Sequence, residues 1–211
     1  MAKVVKSKNL KASSKKWVQR QINDKYVELA IKEGYRSRAA YKIQEIQARF
    51  KIFKPDSVVL DLGAAPGGWS QVASKICKKV IAVDLLDIAP LPGVHIISGD
   101  FFDDSTLSKA EALIGTDGVD IILSDMAPNS CGLRQVDHIR IMNLAEAVFD
   151  FGEKLLNHGG SMVIKILRGG TEAGLLAKLK KSFQTTRHFK PASSRTESSE
   201  MYVIARGFRG S

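Results

Sequence analysis

The sequence predicts one α/β domain built on a seven-stranded, mostly parallel sheet with helices on both faces. Three observations predict it. From Val58 onward, short apolar runs alternate with helix-compatible stretches, the pattern of a parallel sheet with crossover helices. The first run ends in Asp61-Leu62-Gly63-Ala64-Ala65-Pro66-Gly67-Gly68, a glycine-rich turn between strand and helix whose backbone can approach a ligand closely. Asp61, Asp84, Asp100, Asp125 and Lys165 all fall at or just beyond predicted strand ends, which gathers the polar chemistry at one edge of the sheet. A chain of 211 residues with 44% hydrophobic and 26% charged content is long enough for one well-buried domain.

Taken in order, Trp17–Glu33 reads as a helix ending at Gly34, with Trp17, Ile22, Tyr26, Leu29 and Ala30 near helical spacing. Ser37–Phe50 reads as a second, with Ser37 as N-cap and Ala40, Ile43, Ile46, Gln47 and Phe50 along one side. Lys54-Pro55-Asp56 breaks the chain before the sheet, so residues 1–54 form a basic, two-helix N-terminal extension and 55–211 the sheet domain. Strands are expected at Val58–Leu62, Val80–Asp84, Val94–Ser98, Val119–Ser124, Ser161–Leu167, Thr185–Phe189 and Met201–Ala205. Helices are expected at Trp69–Ile76, Ser105–Ile114, Asp137–Leu156 and Thr171–Phe183.

Charge is segregated along the chain. Residues 1–54 carry 15 Lys and Arg against 4 Asp and Glu, residues 55–153 carry 6 against 15, and residues 154–211 carry 11 against 3, within a net charge of +10. An acidic middle between two basic ends suggests a polyanion gripped from two sides, although charge alone does not separate RNA from DNA or an anionic membrane. Two cysteines, Cys77 and Cys131, are too few for a disulfide framework and fit a reducing cytoplasmic setting. No signal-peptide core or membrane-length apolar run is present. His95, His138, His158 and His188 are scattered without paired ligand spacing, so no metal is expected.

The glycine loop implies a nucleotide-like cofactor. Asp84, ending an apolar run 17 residues past Gly67, can accept from ribose hydroxyls, and Asp100 from an adenine amine. The loop is not Gly-x-Gly-x-x-Gly, and Pro66 stands where a dinucleotide loop presents an N–H to pyrophosphate. A phosphate-free cofactor such as S-adenosylmethionine asks less of it, which makes a nicotinamide oxidoreductase the weaker reading. After the fourth strand, Ser124-Asp125-Met126-Ala127-Pro128-Asn129 offers neither the Asn/Asp-Pro-Pro-aromatic of amino methylation nor a Pro-Cys nucleophile. Oxygen is then the expected acceptor.

Ser37-Arg38-Ala39-Ala40-Tyr41-Lys42, Asp61 to Gln71, Ser124 to Asn129, Val163-Ile164-Lys165 and Pro191 to Ala205 together resemble the FtsJ/RlmE family. The resemblance runs from about Trp17 to Ala205. It implies a Rossmann-like S-adenosylmethionine-dependent 2′-O-ribose methyltransferase, acting on an A-loop uridine of 23S ribosomal RNA within the large subunit. It implies a catalytic tetrad at Lys42, Asp125, Lys165 and Glu200, and cofactor contacts at Gly67, Trp69, Asp84, Asp100 and Asp125, to which the loop adds Gly63 and Gly68. After Lys165, Ile166-Leu167-Arg168-Gly169-Gly170 departs from the aromatic and glutamine of the family's bacterial members. A monomer is expected, with no membrane partner. A transfer RNA ribose methyltransferase and a catalytically silent RNA-binding assembly factor are the alternatives.

Methyl transfer needs an aligned 2′-oxygen and a route for its proton. Lys165 ends the apolar run Met162-Val163-Ile164, where a lysine is costly unless paired or functional. A free lysine is protonated at neutral pH, and a neighbouring Lys42 and desolvation would favour its basic form while acids oppose that shift. Asp125 and Glu200 then orient Lys165 and the ribose, and Lys165 either abstracts the proton or only steers the hydroxyl. Trp69 and Tyr202 could stack on a base, with core packing as their more ordinary role.

Overall fold

The computed structural model describes residues 18–19, 21–128, 131–168 and 172–210. Trp17, Asn129, Gly169, Gly170 and Thr171, which carry parts of the expected helices and motifs, lie outside the described residues, as does the basic opening stretch. Helices α1 (Lys25–Glu33) and α2 (Ala39–Phe50) precede β1 (Val58–Leu62), α3 (Gly68–Ala73), β2 (Lys79–Asp84) and β3 (Val94–Ser98). Then follow α4 (Asp104–Ile114), β4 (Val119–Ser124), α5 (Arg134–Gly152), β5 (Leu156–Leu167), α6 (Ala173–Ser182), β6 (Phe183–Phe189) and β7 (Glu200–Phe208).

The seven strands form one sheet in the order β3-β2-β1-β4-β5-β7-β6. β1 to β5 pair in parallel, whereas β7 runs antiparallel between β5 and β6. The order reverses between β1 and β4, so a crevice opens at their carboxyl ends. Alternation along the strands divides the core. Leu60, Leu62, Met162 and Ile164 face one side, where α4, α5 and α6 bring Ala110, Met142, Val148, Phe149, Leu175 and Leu179. Val59, Ile121 and Val163 face the other, covered by Ala40, Ile43 and Ile46 of α2 and Trp69 and Val72 of α3. Helix α2 is thus part of the core rather than an appendage.

The structure departs from the sequence reading in local places. The expected helix Trp17–Glu33 is interrupted at Asp24, whose carboxylate accepts the Tyr26 N–H at 3.0 Å and starts α1 afresh. It ends at Gly34 as expected, left-handed with φ 72°. Ser37 does not cap α2: Arg38 holds that position and its side chain makes no capping bond, and the buried Ser37 hydroxyl has no partner among the described residues. It faces Gly68, where a Cβ would lie 2.5 Å from Ser37 Oγ, so close packing of α2 against the glycine loop takes precedence over capping. β5 begins at Leu156, five residues before the expected Ser161, with an irregularity in its register against β4.

Candidate active site

The crevice holds a cavity of about 550 Å³, lined by Gly63, Asp84, Asp100, Leu86, Phe102 and Asp125 among others. Asp84 closes the glycine loop onto β2: Oδ2 accepts the Ala65 N–H at 2.8 Å and Oδ1 the Leu86 N–H at 2.8 Å. Asp100 Oδ1 accepts the Phe102 N–H at 3.0 Å. Each carboxylate is fixed by backbone donors and keeps lone pairs for a ligand. Leu85, Leu86 and Phe102 are exposed at this rim, where apolar side chains suit the flat face of a nucleobase. At Gly63, φ is 74° and a Cβ would meet Met126 Cγ at 2.6 Å, so glycine is required twice over.

The rest of the loop faces elsewhere. Gly67, at φ 102°, packs under Arg36, whose guanidinium donates to the carbonyls of Pro66, Ala89 and Pro90 at 3.2, 2.6 and 2.7 Å. Gly68 opens α3. Trp69 is buried in the core behind the loop; its Nε1 donates to Ala39 O at 2.9 Å and its ring lies 5.4 Å from that of Tyr202. Of the expected cofactor contacts, the cavity therefore takes Gly63, Asp84, Asp100 and Asp125, while Gly67, Gly68 and Trp69 support it from behind. The sequence reading passed over Arg36, because an arginine just after a helix carries no motif signal.

Beside the cavity, Lys42, Asp125, Lys165 and Glu200 meet, from α2, the end of β4, β5 and the start of β7. Lys165 Nζ pairs with Asp125 Oδ1 at 3.0 Å and also donates to the Asp125 carbonyl. Lys42 Nζ pairs with Glu200 Oε1 at 2.7 Å and lies 3.9 Å from Asp125 Oδ2. Register places Lys165 opposite Tyr202 and so brings the Tyr202 hydroxyl into the cluster. That hydroxyl accepts from Lys42 Nζ at 3.1 Å and donates to Asp125 Oδ1 at 2.7 Å. Ser194 Oγ donates to Glu200 Oε1 at 2.8 Å. Tyr202 is fully buried, so it packs the core as expected of its ring and also bonds the tetrad through its hydroxyl. The periodicity that marked it as core could not reveal the second part, nor the contact of Ser194.

Electrostatics follow from these distances. Burial works to raise the Asp125 carboxyl, but Lys165, Lys42 and hydrogen bonds from Tyr202 and Lys165 outweigh it and hold it below the usual carboxylate range. Burial, with Asp125 and Glu200 beside it, pushes the Tyr202 phenol well up, so it stays protonated. Beneath the glycine loop, Asp61 is wholly buried; Oδ2 accepts from Ser70 Oγ at 2.6 Å and Oδ1 has no partner among the described residues. Burial pushes its carboxyl up to about 7, opposed by Ser70 and reinforced by Asp125 and Asp84. A raised carboxyl binds more protons folded than unfolded, so ionising Asp61 destabilises the fold as pH rises from about 4 to about 7. Asp61→Asn is therefore expected to gain stability over the unaltered protein across that window, by roughly 1.4 kcal/mol per pH unit at most. Denaturant unfolding at pH 5, 6, 7 and 8 checks this; a constant difference between the two proteins would contradict it.

A switch-point cavity with two carboxylates held by backbone donors lies beside a paired Lys-Asp-Lys-Glu cluster on an α/β fold, an arrangement that can bind a small polar ligand and manage a proton next to it. The comparisons narrow the class. Residues 35–208 match the model of the FtsJ-like methyltransferases. The chain is 51% identical to the ribosomal RNA large subunit methyltransferase E of Rickettsia bellii, over 96% of this chain and 92% of that protein. It is 47% identical to the protein of that name from Rhodopseudomonas palustris, over 95% and 88%. The crystal structure of a ribosomal RNA methyltransferase from Plasmodium falciparum superposes with a TM-score of 0.76 at 31% identity, covering 84% of this chain and 100% of that one. The chain belongs to the FtsJ-like methyltransferase family. It is an enzyme that uses a methyl donor, on a Rossmann-like fold.

Proposed function

We propose that the chain transfers a methyl group from S-adenosylmethionine to the 2′-hydroxyl of a uridine ribose in the A-loop of 23S ribosomal RNA, within the large ribosomal subunit. The observation that carries this reading is the joining of Lys42, Asp125, Lys165 and Glu200 beside the cavity, which Asp125 itself lines. The names of the relatives from Rickettsia bellii and Rhodopseudomonas palustris support the RNA substrate. The cavity suits the donor's adenosine: Asp84 would take the ribose hydroxyls, Asp100 the adenine amine, and Leu86 and Phe102 the ring face. Gly63 leaves the approach clear where a side chain would not. When bound, S-adenosylmethionine supplies an electrophilic methyl group on a sulfonium.

The chain's own groups handle the acceptor. Lys165 meets the 2′-hydroxyl and directs its proton away from the reacting face. Asp125, held charged, fixes Lys165 through both its carboxylate and its carbonyl. Lys42, clamped by Glu200 and the Tyr202 hydroxyl, adds positive charge where the oxygen becomes negative. Among the described residues no helix is long and apolar enough to cross a membrane. Mapping 2′-O-methylation across ribosomal and transfer RNA, in cells with and without the protein, tests the proposal. Loss of one A-loop uridine methyl is expected; an intact ribosomal pattern with an altered transfer RNA would overturn it.

A further inference from the structure

A second cavity, of about 350 Å³, opens at the opposite end of the sheet from the reactive centre. Ser161 lines it, four residues before Lys165 on the same strand, so the two lie about 13 Å apart along β5. Part of its wall is bare backbone at Gly159, Gly160 and Gly207, and its cations are Lys51, Lys54 and Arg206, with the His158 imidazole beside them. They come from both basic ends of the chain, which the fold brings together here. The lining acid, Asp120, is already engaged: Oδ2 accepts the Val58 N–H at 2.8 Å and Oδ1 the Asn157 amide at 3.1 Å. Lys51, Lys54 and Arg206 form no ion pair among the described residues, and with Asp120 the only acid in the lining, this concave wall carries net positive charge and suits an oxyanion.

A second, separate feature links this cavity to the reactive centre. Arg206 lies over the Phe50 ring at 5.6 Å and donates to Phe50 O at 3.0 Å. Arg49 lies over both Phe50 and Phe189, at 5.8 and 5.5 Å, and those rings pack edge to face. The ladder follows the seam between α2, β6 and β7. Along α2, Lys42 lies about 12 Å from Phe50 at the cavity. Glu45, the acid facing the loop that follows β6, is engaged by the N–H groups of Ala192 and Ser193 at 2.5 and 2.8 Å. Guanidinium groups seated over rings can still offer N–H groups to a phosphate, here the Arg49 donors and those of Arg206 that do not bond Phe50 O.

We propose that this cavity is a second RNA site, which takes a backbone phosphodiester of the substrate remote from the methylated ribose, with the Arg–Phe ladder guiding the strand between the two. The proposal rests on the reading of the substrate as RNA. The test compares the unaltered protein with the triple variant Lys51→Gln, Lys54→Gln, His158→Gln, whose side chains lie outside the catalytic cluster and the donor cavity. Far-ultraviolet circular dichroism and donor binding verify that the variant is folded. Methylation is measured on full-length 23S RNA, both free and within large ribosomal subunits, and on a short hairpin carrying only the target loop. Equilibrium RNA binding is measured at several salt concentrations, and inorganic phosphate is titrated separately against both proteins.

The expected result is a KM for the long RNA raised about tenfold, an unchanged kcat, and an unchanged KM for the hairpin. The slope of log K against log salt falls by about 0.7, as the loss of one phosphate contact to single-stranded RNA requires. Unchanged KM and salt slope would overturn the proposal. So would tight binding of inorganic phosphate that is lost in the variant while RNA affinity stays the same, since the cavity would then serve a small anion. If the unaltered protein methylates no RNA, the functional reading fails, and the binding and salt data still decide whether the cavity holds an RNA phosphate.

Discussion

Replacing Lys165 with alanine is expected to slow methyl transfer by about 10²- to 10⁴-fold, the usual contribution of a positioned proton-handling group. RNA affinity is expected to stay within a few-fold, since the ammonium faces Asp125 and not the outer surface. The lysine is half-buried near the end of an apolar strand, where its charge is tolerated because Asp125 meets it twice, by carboxylate and by carbonyl. Such an arrangement fixes Nζ rather than merely solvating it. Lys165→Arg separates the two parts this nitrogen could play. Arginine keeps the charge but does not release a proton at accessible pH, so an inactive Arg variant assigns Lys165 as base and an active one as an orienting cation. The measurement is single-turnover transfer of a labelled methyl group; full activity in Lys165→Ala would end the assignment.

The second large effect is expected at Asp125. Asp125→Asn keeps the shape but removes the charge between Lys165 and Lys42, leaving Glu200 as the remaining carboxylate of the tetrad. Both ammonium groups are nearly enclosed, with side-chain exposures of 9% and 11%. Loss of one partner from such a cluster costs up to about 3 kcal/mol of stability, most of it from cations left uncompensated. Methyl transfer is expected to fall by at least about 10²-fold, because Lys165 loses its anchor. The pH dependence has a definite sign. The carboxyl is held below its ordinary value, so its stabilisation is complete above about pH 4 and fades as pH drops through the lowered value. The difference between the two proteins in urea unfolding should accordingly be large at pH 7 and shrink below about pH 4. A difference independent of pH would mean that shape, not charge, is what the substitution disturbs.

The central sheet was legible because its strands are buried on both faces. Val58–Leu62 and Val119–Ser124 match their expected bounds for that reason, and the glycine loop marks the turn between strand and helix. The tetrad was found through family resemblance, and β4, β5, β7 and α2 do bring its four side chains together. What stayed hidden depends on contacts between distant segments. Asp24 breaks a helix that its own sequence would continue; its carboxylate pairs with Arg38 and, at 3.4 Å, with Arg195. Trp69 has the setting of a cofactor contact, yet α2 covers it and takes its N–H. Tyr202 reads as a core aromatic on β7, and only the antiparallel register against β5 reveals its hydroxyl between Lys42 and Asp125. The second basic cavity draws on residues about 150 positions apart, as Lys51 and Arg206 illustrate, so no local pattern announces it.

The most direct test of the account is methyl transfer from labelled S-adenosylmethionine to two large-subunit substrates that differ only at the A-loop uridine, one with its 2′-hydroxyl and one with hydrogen there. The account predicts one methyl group per subunit on the first and none on the second. Equal labelling of the two, or labelling of a base in either, would contradict it.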